Sequence, residues 1–196
     1  MAPFVPQDAS RPTIDTGLSA ASRVLAYWQA AGYSKWFTKD EAFDEEFRTK
    51  FMDLHLEAAS GSLEGWMQTP EAALALVILL DQFPRNAFRA TPRMFATDAQ
   101  ALRIARAAID AGFDKRVPES LRFFFYLPFE HSEKLADQET CVALHEALGN
   151  PELTKYALVH REVIQKFGRF PHRNAVLGRE TTEEEQAFLD SGGFSG

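Results

Sequence analysis

Apolar residues recur at every third or fourth position along most of the chain, a spacing typical of amphipathic α-helices. Most of these periodic stretches are bounded by residues that favour a helix start or stop, such as threonine or aspartate before them and glycine after them. No stretch alternates between apolar and polar residues with a period of two, so no β-sheet is predicted. The predicted helices lie within residues 15–31, 40–61, 69–84, 97–112, 117–128, 132–149, 151–168 and 181–189.

Some of these segments predict more than the presence of a helix. The segment 69–84, TPEAALALVILLDQFP, is apolar on nearly every side until Asp81, so it is predicted to be buried all round. The segments 132–149 and 151–168 follow one another so closely that they are predicted to form an antiparallel hairpin. Thr182 stands three residues before Glu185, which predicts a capping box at the start of the last helix.

These elements predict an all-α fold of stacked antiparallel helix hairpins in a tetratricopeptide-like single domain, with an up-and-down bundle as the alternative. No strict repeat of about 34 residues is present, so periodicity alone leaves both arrangements open. The domain is predicted to span residues 15–190. The segments 1–14 and 191–196 are expected to be flexible.

Composition and charge narrow the classes of protein. A chain of 196 residues, 45 % of them hydrophobic and 17 of them phenylalanine, has enough apolar material for one large core. Its net charge of −7 argues against a nucleic-acid-binding surface. The longest apolar run covers only residues 72–80, whereas a membrane-spanning helix needs about 20, so no membrane partner is expected. The single cysteine, Cys141, cannot form an internal disulfide, which favours a reduced, cytoplasmic location. No feature predicts an oligomeric state.

Asp81 is the first residue that suggests chemistry. It ends an apolar helix, where burial and the helix dipole both disfavour a carboxylate, so a cation is expected beside it. Arginine suits this role because its planar guanidinium holds a carboxylate through two hydrogen bonds. Either the pair is structural, or Asp81 is a base or an orienting residue in a cleft. The candidate partners are Arg85, Arg89, Arg169, Arg173 and Arg179.

Two related turns follow helices, FPRN at residues 83–86 and FPHRN at residues 170–174. Pro84 is expected to push Phe83 out of the helical conformation and fix a turn. The two turns are predicted to form opposite walls of a pocket, because arginine and asparagine together suit an anion or a planar polar group. The alternative is a structural clamp in which these side chains bind one another. The predicted ligand-binding residues are Arg85, Asn86, Arg169, Arg173 and Asn174.

Candidate acids and bases stand near the same segments. Ser132 beside His131 does not form a nucleophile and base pair, because adjacent residues do not face each other and no G-x-S-x-G elbow is present. A histidine is nevertheless a candidate general acid or base, together with Asp81 and Glu133. The candidate histidines are His131, His160 and His172.

No metal site and no cofactor are predicted. The group His131, Glu133 and Asp137 lacks the second histidine of an H-E-x-x-H motif, and the chain has no CxxC pair. His55 and His145 are interpreted as residues of helix surfaces or boundaries.

The long motifs LLDQFPRN and GRFPHRN, together with VLAYWQAAGYSKWFTKDEAF and FFFYLPFEHSEKLADQE, resemble a bacterial family, domain of unknown function 924 (DUF924). The resemblance runs from about Val24 to Leu189. It implies an all-helical, tetratricopeptide-like fold, and it supplies no function.

Two hypotheses follow. The favoured one is a binding module whose cleft, lined by arginine, asparagine and histidine, holds an anionic small molecule or an acidic peptide. The alternative is a hydrolase or transferase that uses Asp81, Glu133 and a histidine on a phosphorylated or carboxylated metabolite. In either case, aromatic residues are expected to supply apolar walls. These residues are Trp28, Trp36, Phe37, Trp66 and Tyr126.

Overall fold

Helices make up all of the regular secondary structure in residues 19–195, the part of the chain that the computed structural model describes. The α-helices are α1 (Ala20–Ala31), α2 (Tyr33–Trp36), α3 (Glu41–Ala59), α4 (Pro70–Val77), α5 (Phe83–Ala87), α6 (Asp98–Asp110), α7 (Glu119–Arg122), α8 (Leu127–Glu130), α9 (Leu135–Leu148), α10 (Pro151–Phe167), α11 (Asn174–Leu177) and α12 (Glu183–Asp190). Short 3-10 turns occupy Glu64–Gln68, Pro92–Phe95, Asp114–Arg116, Phe123–Phe125 and Pro171–Arg173, and a π turn occupies Ile78–Gln82.

The predicted all-α fold is confirmed, and so are several helix boundaries. Ser19 caps α1, and the four residues predicted before it lie outside the described range. The capping box at Thr182 and Glu185 is present at the start of α12. Helices α9 and α10 pack against each other as the predicted hairpin, and Asn150 caps α10. None of the described helices combines the length and the apolar character that a membrane crossing requires.

The elements α4, the π turn and α5 form one continuous buried helix, here termed the central helix. It differs from its prediction at one point. Every residue from 73 to 84 is buried, as expected. Phe83, however, keeps helical dihedral angles (φ −53°, ψ −48°), and Pro84 stands in the first turn of α5 rather than in a loop. The reason is the π turn, in which the Phe83 N–H donates to the Ile78 carbonyl five residues back. This wider turn accommodates the proline without breaking the helix.

Side chains satisfy the carbonyl groups that the π turn and Pro84 release. Pro84 has no N–H for the Leu80 carbonyl, and the Thr97 hydroxyl donates to that oxygen instead at 2.5 Å. His55 Nδ1 donates to the Leu79 carbonyl at 2.9 Å. His55 is therefore buried, and so is His145, so the interpretation of both as helix-surface or boundary residues was wrong.

Most of the aromatic residues proposed as cleft walls belong to the core instead. Trp28 and Trp36 stack with ring centroids 6.2 Å apart, and the Trp36 indole N–H donates to the Trp28 carbonyl at 2.7 Å. Tyr126 is buried and its hydroxyl donates to Asp114 Oδ2 at 2.8 Å. Trp66 is partly buried against the same core, whereas Phe37 is 51 % exposed.

The segment 117–130 brings polar residues to the centre of the domain. It is divided into α7, a 3-10 turn and α8, and Pro128 is tolerated because it lies in the first turn of α8. Helix α8 ends with Glu130, and His131 follows directly. At the C-terminus, the Phe194 ring lies 4.3 Å from the His160 ring, within the segment expected to be flexible. The N-terminal segment 1–14 lies outside the described residues.

Candidate functional site

Asp81, in the π turn of the central helix, is fully buried and hydrogen-bonded on both oxygens. Its Oδ1 lies 2.7 Å from His131 Nδ1, and its Oδ2 accepts a 2.7 Å bond from Gln82 Nε2. Arg85 Nη1 lies 3.3 Å from Oδ1. Burial alone would raise the pKa of Asp81, but the charge of Arg85 and the hydrogen bonds from His131 and Gln82 outweigh it and lower the pKa. Asp81 is therefore ionised at neutral pH.

The ionised carboxylate determines which nitrogen of His131 carries hydrogen. Burial and the neighbouring Arg85 lower the pKa of His131, so the imidazole is neutral at neutral pH. Asp81 is an acceptor only, so Nδ1 carries the hydrogen and donates it to Oδ1. Nε2 then has a lone pair, which is the protonation state that a general base requires.

The two FPRN-like segments meet at Asp98, in the first turn of α6. Asp98 accepts two hydrogen bonds from Arg85, at 2.9 and 3.0 Å, and its Oδ2 lies 3.8 Å from Arg173 Nη1. Asp81 was expected to need an arginine, and the one it binds is Arg85, from its own segment. The second segment contacts this cluster through Asp98, which was not among the predicted site residues.

Arg173 is buried but poorly paired. The residue is 7 % exposed, and its guanidinium carbon lies 4.7 Å from the Phe95 ring and 4.4 Å from the Phe170 ring. Its Nε has no hydrogen-bond partner among the described residues, and its ion pair with Asp98 is long at 3.8 Å. Burial and the nearby Arg85 lower the pKa of Arg173 to about 10. The side chain is therefore cationic at neutral pH with unused donors.

His160 and His172 both contact Phe170, each with its ring centroid 5.6 Å from that of the phenylalanine ring. His160 Nδ1 donates to the Tyr156 carbonyl at 2.9 Å, and burial lowers the pKa of His160 to about 3. His172 Nδ1 is buried without a hydrogen-bond partner in the described part of the chain. Burial and Arg173 lower the pKa of His172 to about 4, so both imidazoles are neutral.

The other predicted residues of the second FPRN-like segment, and Glu133 as well, form hydrogen bonds and ion pairs within the protein. Arg169 donates to both carboxylate oxygens of Glu185 at 2.6 and 2.7 Å. Asn174 donates to Glu185 Oε2 at 3.3 Å. Glu133 accepts bonds from Arg179 at 2.7 and 3.0 Å. Burial would raise the pKa of Glu133, but the hydrogen bond from Arg179 reverses the shift. For these residues the contacts are those of a structural clamp.

Asn86, from the first segment, is also engaged within the protein. Its amide donates to Asp44 Oδ1 at 2.7 Å, and Arg89 Nε donates to Asp44 Oδ2 at 2.5 Å. Of the five predicted ligand-binding residues, only Arg173 has a fully buried donor atom without a partner among the described residues. Asp44, Asp98 and Glu185 were missed, although each occupies the first turn of a helix, where acidic side chains are common.

Two surface hollows of about 550 and 680 Å³ lie near the turn between α9 and α10. Gly149 and Pro151 line both of them, and neither is lined by Asp81, His131 or Arg173. These surface hollows are therefore separate from the buried polar cluster.

Comparisons with known proteins agree with the sequence resemblance. The model of the family described as bacterial protein of unknown function (DUF924) matches residues 24–193. The solved structure of a protein of unknown function from Agrobacterium tumefaciens is 47 % identical, with a TM-score of 0.85. The similarity covers 87 % of this chain and 97 % of that one. No functionally curated protein matches the chain.

Proposed function

The chain belongs to the bacterial DUF924 family, whose function is unknown, and we propose that it binds a small anionic molecule at Arg173. The observation that carries the proposal is a buried guanidinium whose Nε has no hydrogen-bond partner in the described part of the chain. Its ion pair with Asp98 is long, and two aromatic rings lie beside it. A carboxylate or phosphate of the ligand would accept hydrogen bonds from the guanidinium N–H groups.

The contrast with neighbouring arginines supports this role. Arg85, Arg169 and Arg179 each donate two hydrogen bonds to a single carboxylate. Arg173 is more buried than any of these three, with 8 % of its side chain exposed against 15 %, 29 % and 23 %. Burial of a charge is costly unless it is paired, so the least paired of the four is the one suited to an external anion.

The surroundings favour a small ligand. Phe95 and Phe170 supply apolar surface on which the body of a metabolite can lie. His131 and Asp98, at the edge of the cluster, have 14 % and 18 % of their side chains exposed. Such limited access suits a single anionic group better than the acidic peptide that the sequence left as an alternative ligand.

A thermal-shift and calorimetric screen tests the proposal. The probes are inorganic phosphate, mono- and dicarboxylates and nucleotides, applied to the wild-type chain, Arg173→Gln, Arg173→Lys and the control Arg103→Gln. Arg103 is exposed, and its ion pair with Glu64 lies on the surface. One class of anion is expected to raise Tm for wild type and control, and not for Arg173→Gln. A flat response across the screen, or an equal response in Arg173→Gln, would contradict the proposal.

A second candidate function is acid–base catalysis on the same ligand, favoured by the 2.7 Å bond between His131 Nδ1 and Asp81. A buried carboxylate that orients an imidazole is the arrangement of many hydrolytic sites, in which Nε2 takes the proton of a nucleophile. The substrate would be a phosphorylated or carboxylated metabolite held by Arg173, and water would be the attacking group in a hydrolase.

This second function needs a separate measurement. Once an anion class is identified, its members are incubated with the protein and products are followed by mass spectrometry. His131→Gln is expected to keep binding and lose turnover, while the surface variant Glu139→Gln keeps both. Turnover that survives in His131→Gln would exclude His131 as the base, and binding without any product would contradict the catalytic function.

A further inference from the structure

Three potential metal ligands lie close together in the core of the protein. Cys141 and His145 are four residues apart on α9 and therefore share one face of that helix. Glu130, at the end of α8, faces both of them. Its Oε2 lies 3.8 Å from Cys141 Sγ and 3.6 Å from His145 Nε2, and the three donor atoms lie within 4.8 Å of one another. All three residues are buried.

The imidazole of His145 finds no hydrogen-bond partner in this cluster or elsewhere among the described residues. His145 is also completely buried. The Glu130 carboxyl group is 6 % exposed, and within the described range its one hydrogen-bond contact is with the thiol of Cys141. His160 Nδ1 is 3.4 Å from Glu130 Oε1 but donates to the Tyr156 carbonyl. Buried polar groups without partners are rare in folded proteins, so the two nitrogens of His145 call for an explanation.

From this geometry we propose that Glu130, Cys141 and His145 form a buried binding site for a divalent transition-metal ion, with Zn²⁺ as the best match. Carboxylate, thiolate and imidazole are all ligands of Zn²⁺, at metal–donor distances of about 2.0–2.3 Å. Neighbouring donors in a tetrahedral site of that size are about 3.3–3.8 Å apart. The two measured separations involving Glu130, 3.6 and 3.8 Å, already lie in this range. A water molecule would complete the coordination.

Charge balance favours the same ion. A bound carboxylate and a bound thiolate bring two negative charges into the site, and a coordinating imidazole is neutral. A divalent cation offsets both charges, so the occupied site is neutral. A neutral site avoids the cost of an unpaired charge in the core.

Cobalt substitution tests the proposal on the full-length chain. The protein is dialysed against a chelator and titrated with Co²⁺, followed by competition with Zn²⁺. We expect about one Co²⁺ per chain, the near-ultraviolet band of a cobalt–thiolate bond and the visible bands of tetrahedral Co²⁺. Zn²⁺ is expected to displace Co²⁺ and to raise Tm.

Variants identify the ligands. Cys141→Ser and Cys141→Ala are expected to lose the thiolate band and to weaken Co²⁺ binding by roughly 100-fold or more. Glu146→Gln, on the exposed side of α9, is the matched control and is expected to bind as wild type does. Arg173→Gln is also expected to bind Co²⁺ normally, so this test does not depend on the proposed anion site. Wild-type protein that takes up no Co²⁺, or a thiolate band that persists in both cysteine variants, would overturn the proposal.

Discussion

His131 Nδ1 lies 2.7 Å from Asp81 Oδ1, a contact between residues that are 50 positions apart in the sequence. It joins the π turn of the central helix to the residue that follows α8. The same carboxylate interacts with Arg85, and Arg85 also binds Asp98. The central helix, α6 and α8 are thus held together by one buried polar cluster.

Asp81→Asn is expected to lower the free energy of unfolding by about 3–5 kcal/mol, the range found when one partner of a buried ion pair is removed. The asparagine side chain lacks the negative charge that offsets Arg85, and its amide oxygen is a weaker hydrogen-bond acceptor for His131 than a carboxylate. Urea unfolding at pH 7 measures the loss. The control is Asp53→Asn on the exposed face of α3, for which a change within about 0.5 kcal/mol is expected. If Asp81→Asn were as stable as the control, the pairing would not stabilise the fold.

Much of this architecture follows from sequence pattern. The buried helix, the hairpin of α9 and α10 and the capping box depend on local periodicity and on residues near helix ends, so they can be predicted from short stretches. The prediction at Phe83 and Pro84 failed because a proline usually ends a helix. Here Thr97, supplied from 17 residues away, bonds the carbonyl that the proline leaves free. A contact of that kind has no signature in the local sequence.

The site was predictable only in part, for a related reason. The need for a cation at Asp81 follows from its place in an apolar helix, but the choice of Arg85 over the later arginines depends on packing. Asp98 and Glu185 appear in the sequence as ordinary acids of a first helical turn, and their arginine partners are distant. The grouping of Glu130 with Cys141 and His145 likewise requires α8 and α9 to meet.

Glu185 is expected to make stability sensitive to acid. Its hydrogen bonds from Arg169 lower the pKa of Glu185 to about 2, below the ordinary value of 4.5. A lowered carboxyl pKa contributes stability that is present above about pH 4.5 and is lost as the pH falls towards 2. Denaturant unfolding at pH 5 and pH 3 should therefore show a smaller loss for Glu185→Gln than for wild type.

The neighbouring Glu184 provides the control for that experiment. It is exposed, and its ion pair with Lys166 is on the surface. Glu184→Gln is expected to lose as much stability between pH 5 and pH 3 as wild type does, because screened surface pairs contribute little. Equal pH dependence in wild type and Glu185→Gln would show that Arg169 does not hold Glu185 in its ionised form.

Phe124→Ala is expected to cost about 3–5 kcal/mol of stability, because the ring is 1 % exposed and its loss leaves a cavity in the aromatic core. The ring contacts Trp28 and Trp36 edge-on at 5.5 and 4.9 Å. Phe37→Ala removes a ring that is 51 % exposed, so a loss below about 1 kcal/mol is expected. Urea unfolding distinguishes the two, and similar losses would place Phe37 in the core as well.

A double-mutant cycle tests the π turn. Thr97→Val removes the hydroxyl that donates to the Leu80 carbonyl, and a buried acceptor left without a donor costs roughly 1–3 kcal/mol. Pro84→Ala restores an N–H four residues after Leu80, which can donate to the same oxygen in a regular helical turn. Thr97→Val is therefore expected to cost at most half as much in the Pro84→Ala background. Thr140→Val is the control, because Thr140 bonds a carbonyl inside the regular helix α9. Equal costs of Thr97→Val in both backgrounds would mean that Thr97 does not compensate for the proline.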